Sequence, residues 1–341
     1  ITWEHSRSGT NFDIYAQRIN AAGLVQWTFM GVVISTAANA QYKPTITDDG
    51  AGGAIIAWQD NRSSTNSDVY AQLINASGVV QWTPNGRAIS TAANNQFDPT
   101  VISDGANGAI ITWWDGRSGT DDDIYAQRIS ASGAVRWIAD GVAISTAVHE
   151  QQYPTITNDG AGGAIIAWSD ARGTTDDIYA QRVNASGAVQ WTANGVAVST
   201  AASNQTYPNI TSDGTGGAII TWLDGRNVDY DIYAQKVDQL GYLGIGNSKL
   251  TKAKDVAGDQ GGKVTVAWNA SAHDAYPEQV VTYYSIWRGI ELSAMPAKAT
   301  FIKPEEMTVN FQGKVYRTVI TTQGSTNWEW VGNVPTHYLT D

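Results

Sequence analysis

The sequence predicts an all-β protein: a five-bladed β-propeller of four-stranded repeats over residues 1–244, then a smaller immunoglobulin-like β-sandwich over residues 245–341. Three observations carry this reading. Tryptophan recurs at Trp3, Trp58, Trp113, Trp168 and Trp222, with spacings of 55, 55, 55 and 54 residues. Turn-forming Asp-Gly, Asn-Gly and Asn-Ala-Ser-Gly segments cut each unit into short runs rich in Ile, Val and Thr. Charge then separates two modules, because residues 1–244 hold 12 basic and 23 acidic side chains while residues 245–341 hold nine of each. The boundary falls in the glycine-rich stretch from Gly241 to Ser248, suited to a short linker.

Each repeat reads as a meander of hairpins. In the second unit, Pro44 to Thr47 forms a first strand that ends at Asp48-Asp49-Gly50, and Gly53 to Trp58 forms a second that ends at Asp60-Asn61-Arg62. Asp68 to Ile74 forms a third, ended by Asn75-Ala76-Ser77-Gly78, and a fourth runs from Val79 to Ile89 with a break at Pro84-Asn85-Gly86. The second run, Ala-Ile-Ile-Ala-Trp, is apolar at consecutive positions, so both of its faces must be covered. Sheets stacked face to face around an axis meet that need. An open linear array of the same sheets is the alternative, and it would leave the terminal faces exposed. A parallel β-helix repeats at a much shorter period, and the β-rich composition excludes a helical solenoid. Unit one starts inside its second strand and unit five matches the fourth strand weakly, so about 18 strands are expected and the chain reads as a fragment of a longer polypeptide.

Composition excludes several function classes. The net charge of −11 disfavours nucleic acid and anionic membranes as partners. Without cysteine there is no disulfide framework, thiolate metal site or thiol nucleophile. No run of apolar residues approaches the length of a membrane span, so membrane insertion is not expected. His5, His149, His273 and His337 are isolated and build neither a triad nor a metal motif.

The repeated polar residues are Trp-x-Asp-x-Arg followed by Asp-Ile/Val-Tyr-Ala-Gln. They place Asp60, Arg62 and Asp68, then Asp115, Arg117 and Asp123, then Asp170, Arg172 and Asp177, then Asp224, Arg226 and Asp231, in equivalent positions. A guanidinium folded back between the two bracketing carboxylates would make a structural latch once per blade. In unit one His5 replaces the first Asp. The loop Asp121, Asp122, Asp123 offers hard oxygen ligands, so calcium is the one cofactor considered, although the EF-hand spacing is absent.

Catalysis requires a unique, asymmetric set of groups. The acids that break the repeat are Glu4, Asp98, Asp140 and Glu150, none of them in a recognisable motif. Glycan binding needs aromatic platforms beside hydrogen-bonding groups. Trp114 stands where the other units have Glu4, Gln59, Ser169 and Leu223, so Trp114, with Asp115 and Arg117, is the candidate ligand site. A second tryptophan set, Trp27, Trp82, Trp137 and Trp191, is assigned to packing between blades.

In the second module KVTVAWNAS and VTYYSIWRG alternate as half-buried strands. With YRTVITT and TNWEWVGNVPTHYLTD they resemble the strands of a fibronectin type III domain, with an insertion at 290–312 and the last two strands missing. The repeat module looks like the propellers of secreted bacterial surface proteins, and its Asp-Gly…Trp-x-Asp-x-Arg…Asp-Ile-Tyr rhythm is similar to TolB-type repeats. It departs from the sialidase Asp box, in which Asp, Gly and Trp lie closer together. The resemblance implies an extracellular or cell-surface bacterial protein. The expected function is a non-enzymatic adhesion, scaffold or binding module with a glycan or surface protein as partner. The alternative is the ancillary region of a secreted polysaccharide-degrading enzyme, and a third reading makes the propeller itself a glycosidase. Oligomeric state is not read from the sequence.

Overall fold

The computed structural model describes residues 1–7, 9, 11–227 and 229–244, and, as backbone strands only, segments between 250 and 335. Its contacts divide the chain into two units, Ile1–Gly244 and Ile245–Asp341.

The first unit is a five-bladed β-propeller of antiparallel sheets with three, four, four, four and three strands. Blade one comprises Thr2–His5, Asp13–Ala16 and Val32–Ser35. Blade two comprises Gln41–Asp48, Ala54–Asp60, Asp68–Ile74 and Arg87–Ser90. Blade three repeats this with Gln96–Ser103, Ala109–Asp115, Asp123–Ile129 and Val142–Ser145. Blade four follows with Gln151–Asn158, Ala164–Asp170, Asp177–Val183 and Val196–Ser199. Blade five holds Gln205–Ser212, Ala218–Asp224 and Asp231–Val237. In the second unit Leu250–Asp255 pairs with Val264–Trp268, and Tyr283–Ile290, Gly324–Pro335, Lys314–Thr321 and Thr308–Phe311 form a sheet in that order. The fibronectin-like core, the insertion and the missing last strands concern side chains and segments outside the described residues.

Two strands differ from the sequence reading. In blades two to five the first strand starts three residues earlier, at Gln41 in blade two, because a bulge lets it pass the proline: pairing shifts register between Tyr42 and Thr45. The fourth is shorter, Arg87–Ser90, joined to the preceding hairpin by a single Ile74–Val80 bridge. Between them the chain folds inward to seat Trp82. Gln72 holds it there, its Oε1 accepting the amides of Leu73 and Trp82 and its Nε2 donating to the Thr83 carbonyl. This explains the Gln of Tyr-Ala-Gln in the four repeats that carry the second tryptophan.

Blades stack through apolar faces. Ile55, Val69 and Ala71 of blade two pack on Trp113, Ile111 and Ile129 of blade three, all fully buried, and the same set recurs between the other neighbours. The second tryptophans close each junction. Trp27, Trp82, Trp137 and Trp191 donate Nε1 to carbonyls of the next blade's hairpin turn at 2.9–3.1 Å. Their rings lie on the turn glycine, so a Cβ on Gly133 would come within 2.9 Å of the Trp82 ring. The first strands of consecutive blades contact one another in order and form the inner edge.

The Asn-Gly or Asp-Gly turn does similar work within a blade. Gly141 adopts φ +88°, and an added Cβ would lie 2.6 Å from the Trp113 ring. Gly141→Ala is therefore expected to cost about 2–4 kcal/mol in urea unfolding, from overpacking plus a left-handed backbone. The reference change Gly105→Ala, at φ +73° with nothing within 4 Å, should cost only the backbone part.

Candidate functional site

The repeated loop is built on the second and third strands. Asp60 ends one strand and is fully buried. Its Oδ2 accepts from Trp58 Nε1 at 2.7 Å, and its two oxygens take Arg62 Nε and Nη2 at 2.8 and 2.6 Å. Arg62 also donates to the Asn85 carbonyl and lies 3.6 Å over the Tyr70 ring. Arg117, Arg172 and Arg226 repeat the bidentate pair with Asp115, Asp170 and Asp224, over Tyr125, Tyr179 and Tyr233. In blade one, where His5 takes the Asp place, Arg7 lies over Tyr15 at 3.8 Å and donates to the Met30 carbonyl.

The second acid of each latch is placed differently from the expectation. Asp68, Asp123 and Asp177 form no ion pair with the arginine; they are buried one strand over, opposite Asp60, Asp115 and Asp170 in the ladder. Burial, then the neighbouring carboxylate, pushes each up to about 6. Asp231, in blade five, is exposed. Each guanidinium is instead held by one carboxylate, joined in blades two to four by a turn carbonyl.

The grouping of Trp114 with Asp115 and Arg117 is also corrected. Side chains alternate along a strand, so Trp113 and Asp115 share one face and Trp114 takes the other. Asp115 is fully buried and its oxygens serve Trp113 and Arg117, leaving it closed to a ligand. Trp114 is half-buried, with an indole Nε1 that has no partner. Asp122 is tied to blade four: its amide donates to Glu150 and its Oδ2 accepts from Gln152 at 2.9 Å. Asp121, Asp122 and Asp123 do not converge, and among the described residues no group of three or more carboxylate or histidine side chains could hold a metal ion.

The inner edge supplies what the repeat reading missed. The bulged position before each conserved-pattern proline, Lys43, Asp98, Tyr153 and Tyr207, has φ of +52°, +45°, +55° and +52°. A residue preceding proline avoids the helical regions, and a left-handed non-glycine residue there carries about 1–3 kcal/mol of strain. All four blades accept it, and the bulge re-aims a side chain that is lysine, aspartate or tyrosine according to the blade. Tyr153 and Tyr207 at these positions join Phe97 and Trp114 in a continuous aromatic row across three blades: Phe97 to Trp114 at 5.2 Å, Trp114 to Tyr153 at 5.7 Å and Tyr153 to Tyr207 at 4.6 Å. Tyr207 is 56% exposed. The hydrogen bond of its hydroxyl to Tyr207, then burial, holds Tyr153 above its usual range. On the other side Lys43 Nζ lies 3.7 Å from Asp98, and the Lys43 amide donates to Glu4 Oε2 at 2.9 Å. Lysine, aspartate and two tyrosines before four equivalent prolines were the available sequence signal.

The remaining non-repeating acids have structural partners. Asp140 accepts the Thr91 amide, as Asn85 and Asn194 accept those of Thr36 and Thr146. Glu150 takes the slot in which Asn95 caps the Ser67 amide. Among the described residues no helix is long and apolar enough to cross a membrane.

No family model and no curated protein matches the chain. Solved structures do. An endo-arabinase from Bacteroides thetaiotaomicron is 13% identical over 56% of this chain and 72% of its own, with a TM-score of 0.37. An endo-1,5-α-L-arabinanase from Thermotoga petrophila is 12% identical over 86% of this chain and 84% of its own, at 0.37. A Dyadobacter fermentans protein of unknown function is 10% identical over 88% and 81%, at 0.40. The similar structures are mostly carbohydrate-degrading enzymes rather than adhesion modules, and the expectation of a non-enzymatic adhesion or binding module is withdrawn. At these identities and scores the likeness assigns no particular activity to this chain.

Two measurements test the electrostatics. A carboxyl raised when folded stabilises fully below its unfolded value near 4 and loses that contribution as pH rises through about 6. Burial opposes ionisation of Asp224 too, but hydrogen bonds from Arg226 and Trp222 outweigh it and hold it low, so its contribution survives at pH 5. Tm should therefore rise by several degrees from pH 7.5 to pH 5, and the combined change of Asp68, Asp123 and Asp177 to Asn should flatten that slope. Separately, Arg117→Ala should cost about 3 kcal/mol in chemical unfolding, because it strands buried Asp115, and lysine should restore little of it.

Proposed function

We propose that the propeller unit holds a polysaccharide as part of an exported bacterial polysaccharide-degrading enzyme, with the inner-edge row as its sugar site. The observation that carries this is the asymmetric row itself. Phe97, Trp114, Tyr153 and Tyr207 form an aromatic platform across three blades, and Lys43 continues it between the carboxylates of Glu4 and Asp98. Sugar rings present apolar faces to aromatic platforms while their hydroxyls take hydrogen bonds from neighbouring polar groups. A row that spans blades suits a chain of sugars better than a single ring.

Glu4 and Asp98 are the two repeat-breaking acids at this row, and a paired acid and base is what glycoside cleavage uses. The absence of cysteine, the scarcity of lysine in the blades and the TolB-like and fibronectin-like patterning support export.

Affinity electrophoresis against a panel of plant and bacterial polysaccharides, with reducing-end release assayed on the same panel, tests the reading. Retardation by at least one polysaccharide is expected. Tyr153→Ala and Tyr207→Ala should each weaken it about tenfold, the loss of about 1.4 kcal/mol of stacking. Asp98→Asn or Glu4→Gln should abolish any bond cleavage while retardation persists. A wild-type protein that neither binds nor cleaves any of the panel would sink the proposal.

A further inference from the structure

Beside the latch loop of blade two lies a cleft of about 650 Å3, bounded by the blade-one loop near Gly9 and Phe12 and by the connections that carry Asn39 and Asn95. Three asparagines line it, each anchored through one end of its amide. Asn39 Nδ2 donates to Ser64 Oγ at 2.8 Å and to the Asn61 carbonyl at 3.2 Å, and among the described residues its Oδ1 has no partner. Asn61 Oδ1 accepts from Ser67 Oγ at 2.6 Å, and Asn95 Oδ1 accepts the Ser67 amide at 2.9 Å, so both Nδ2 groups stay open. A carbonyl only accepts and a backbone amide only donates, which fixes the orientations of Asn39 and Asn95. Phe12, 40% exposed, and Tyr42 add an aromatic pair with ring centroids 5.7 Å apart.

We infer that this cleft is a binding site for an uncharged sugar unit, separate from the inner-edge row and able to act without it. None of the described side chains lining it is charged, in a unit that holds 12 basic and 23 acidic ones. Two donors and one acceptor held in fixed directions beside an aromatic pair match the hydroxyls and the apolar face of a sugar ring. A uronic acid would lose hydration there with no cation to meet its carboxylate. The corresponding cleft one blade on is about 280 Å3, with Gly116 in place of Asn61 and with Asp122 and Glu150 in place of Ser67 and Asn95. Its carboxylates are spent on the Asp122 amide and on Gln152, so the set of open amides belongs to the blade-two cleft.

Calorimetric titration of the full chain with neutral gluco-, manno-, xylo-, galacto- and arabino-oligosaccharides, and with an oligogalacturonide, tests the inference. The titrations are run on wild type and on the Tyr153→Ala/Tyr207→Ala variant, in which the row is disabled. At least one neutral oligosaccharide should bind the row-disabled variant, and the oligogalacturonide should bind it about tenfold more weakly or not at all. Asn61→Asp and Asn95→Asp keep the oxygen that meets Ser67 and replace the open donor with a carboxylate oxygen, so either, added to that variant, should weaken binding about tenfold. Phe12→Ala, whose ring makes none of these hydrogen bonds, supplies an independent loss, and circular dichroism checks that each variant folds. Binding that vanishes in the row-disabled variant overturns the cleft and leaves the row. Binding that is undiminished there but lost in Asn95→Asp supports the cleft and overturns the row as the sugar site. A preference for the oligogalacturonide, or titrations unaffected by all three cleft variants, would also overturn the inference, and a wild type that binds no probe would overturn both readings.

Discussion

The placement of each indole over the next blade's turn glycine is the constraint on which the propeller depends. It ties one repeat to its neighbour through a hydrogen bond to a turn carbonyl and through a ring that only a glycine with positive φ can accept. The donor must be held inward, which the Gln of each third strand does, and this shortens the fourth strand. Apolar packing of the sheet faces then follows from the spacing so set. A period near 55 residues is the length of chain needed to deliver a four-stranded sheet, a seated tryptophan and a receiving turn.

The buried Asp-Arg pairs work at a second level. A carboxylate with no exposure is tolerable because an indole, a guanidinium and a backbone amide satisfy it, and the guanidinium is in turn covered by a tyrosine ring. The negative charge of the unit is therefore unevenly committed. Asp60, Asp115, Asp170 and Asp224 are neutralised inside the latch, whereas Asp68, Asp123 and Asp177 are buried beside them without a cation of their own. Strain at the inner edge is distributed in the same spirit. Four pre-proline bulges hold variable side chains in a left-handed conformation, and the invariant frame around them absorbs the cost.

Much of this was legible in the chain. The repeat length, the hairpin meander, the blade count and the packing role of the second tryptophans follow from turn residues and periodicity, which are local properties. The arginine was legible as a partner for a nearby carboxylate, but not which one. Asp60 and Asp68 bracket Arg62 in the same loop, and only the ladder shows one aligned with the indole and the other across the strand. Trp114 stood out as a break in the repeat, yet its neighbours Asp115 and Arg117 were grouped with it by adjacency, against the alternation of a strand.

The sequence by itself determined the all-β class, the five repeats and the acidic, cysteine-free character of the propeller unit, because these depend on composition and short-range pattern. Only the tertiary structure decided where chemistry can occur. Phe97, Trp114, Tyr153 and Tyr207 lie up to 110 residues apart and become neighbours because equivalent first strands line the inner edge and Trp114 pairs with Phe97 across the ladder.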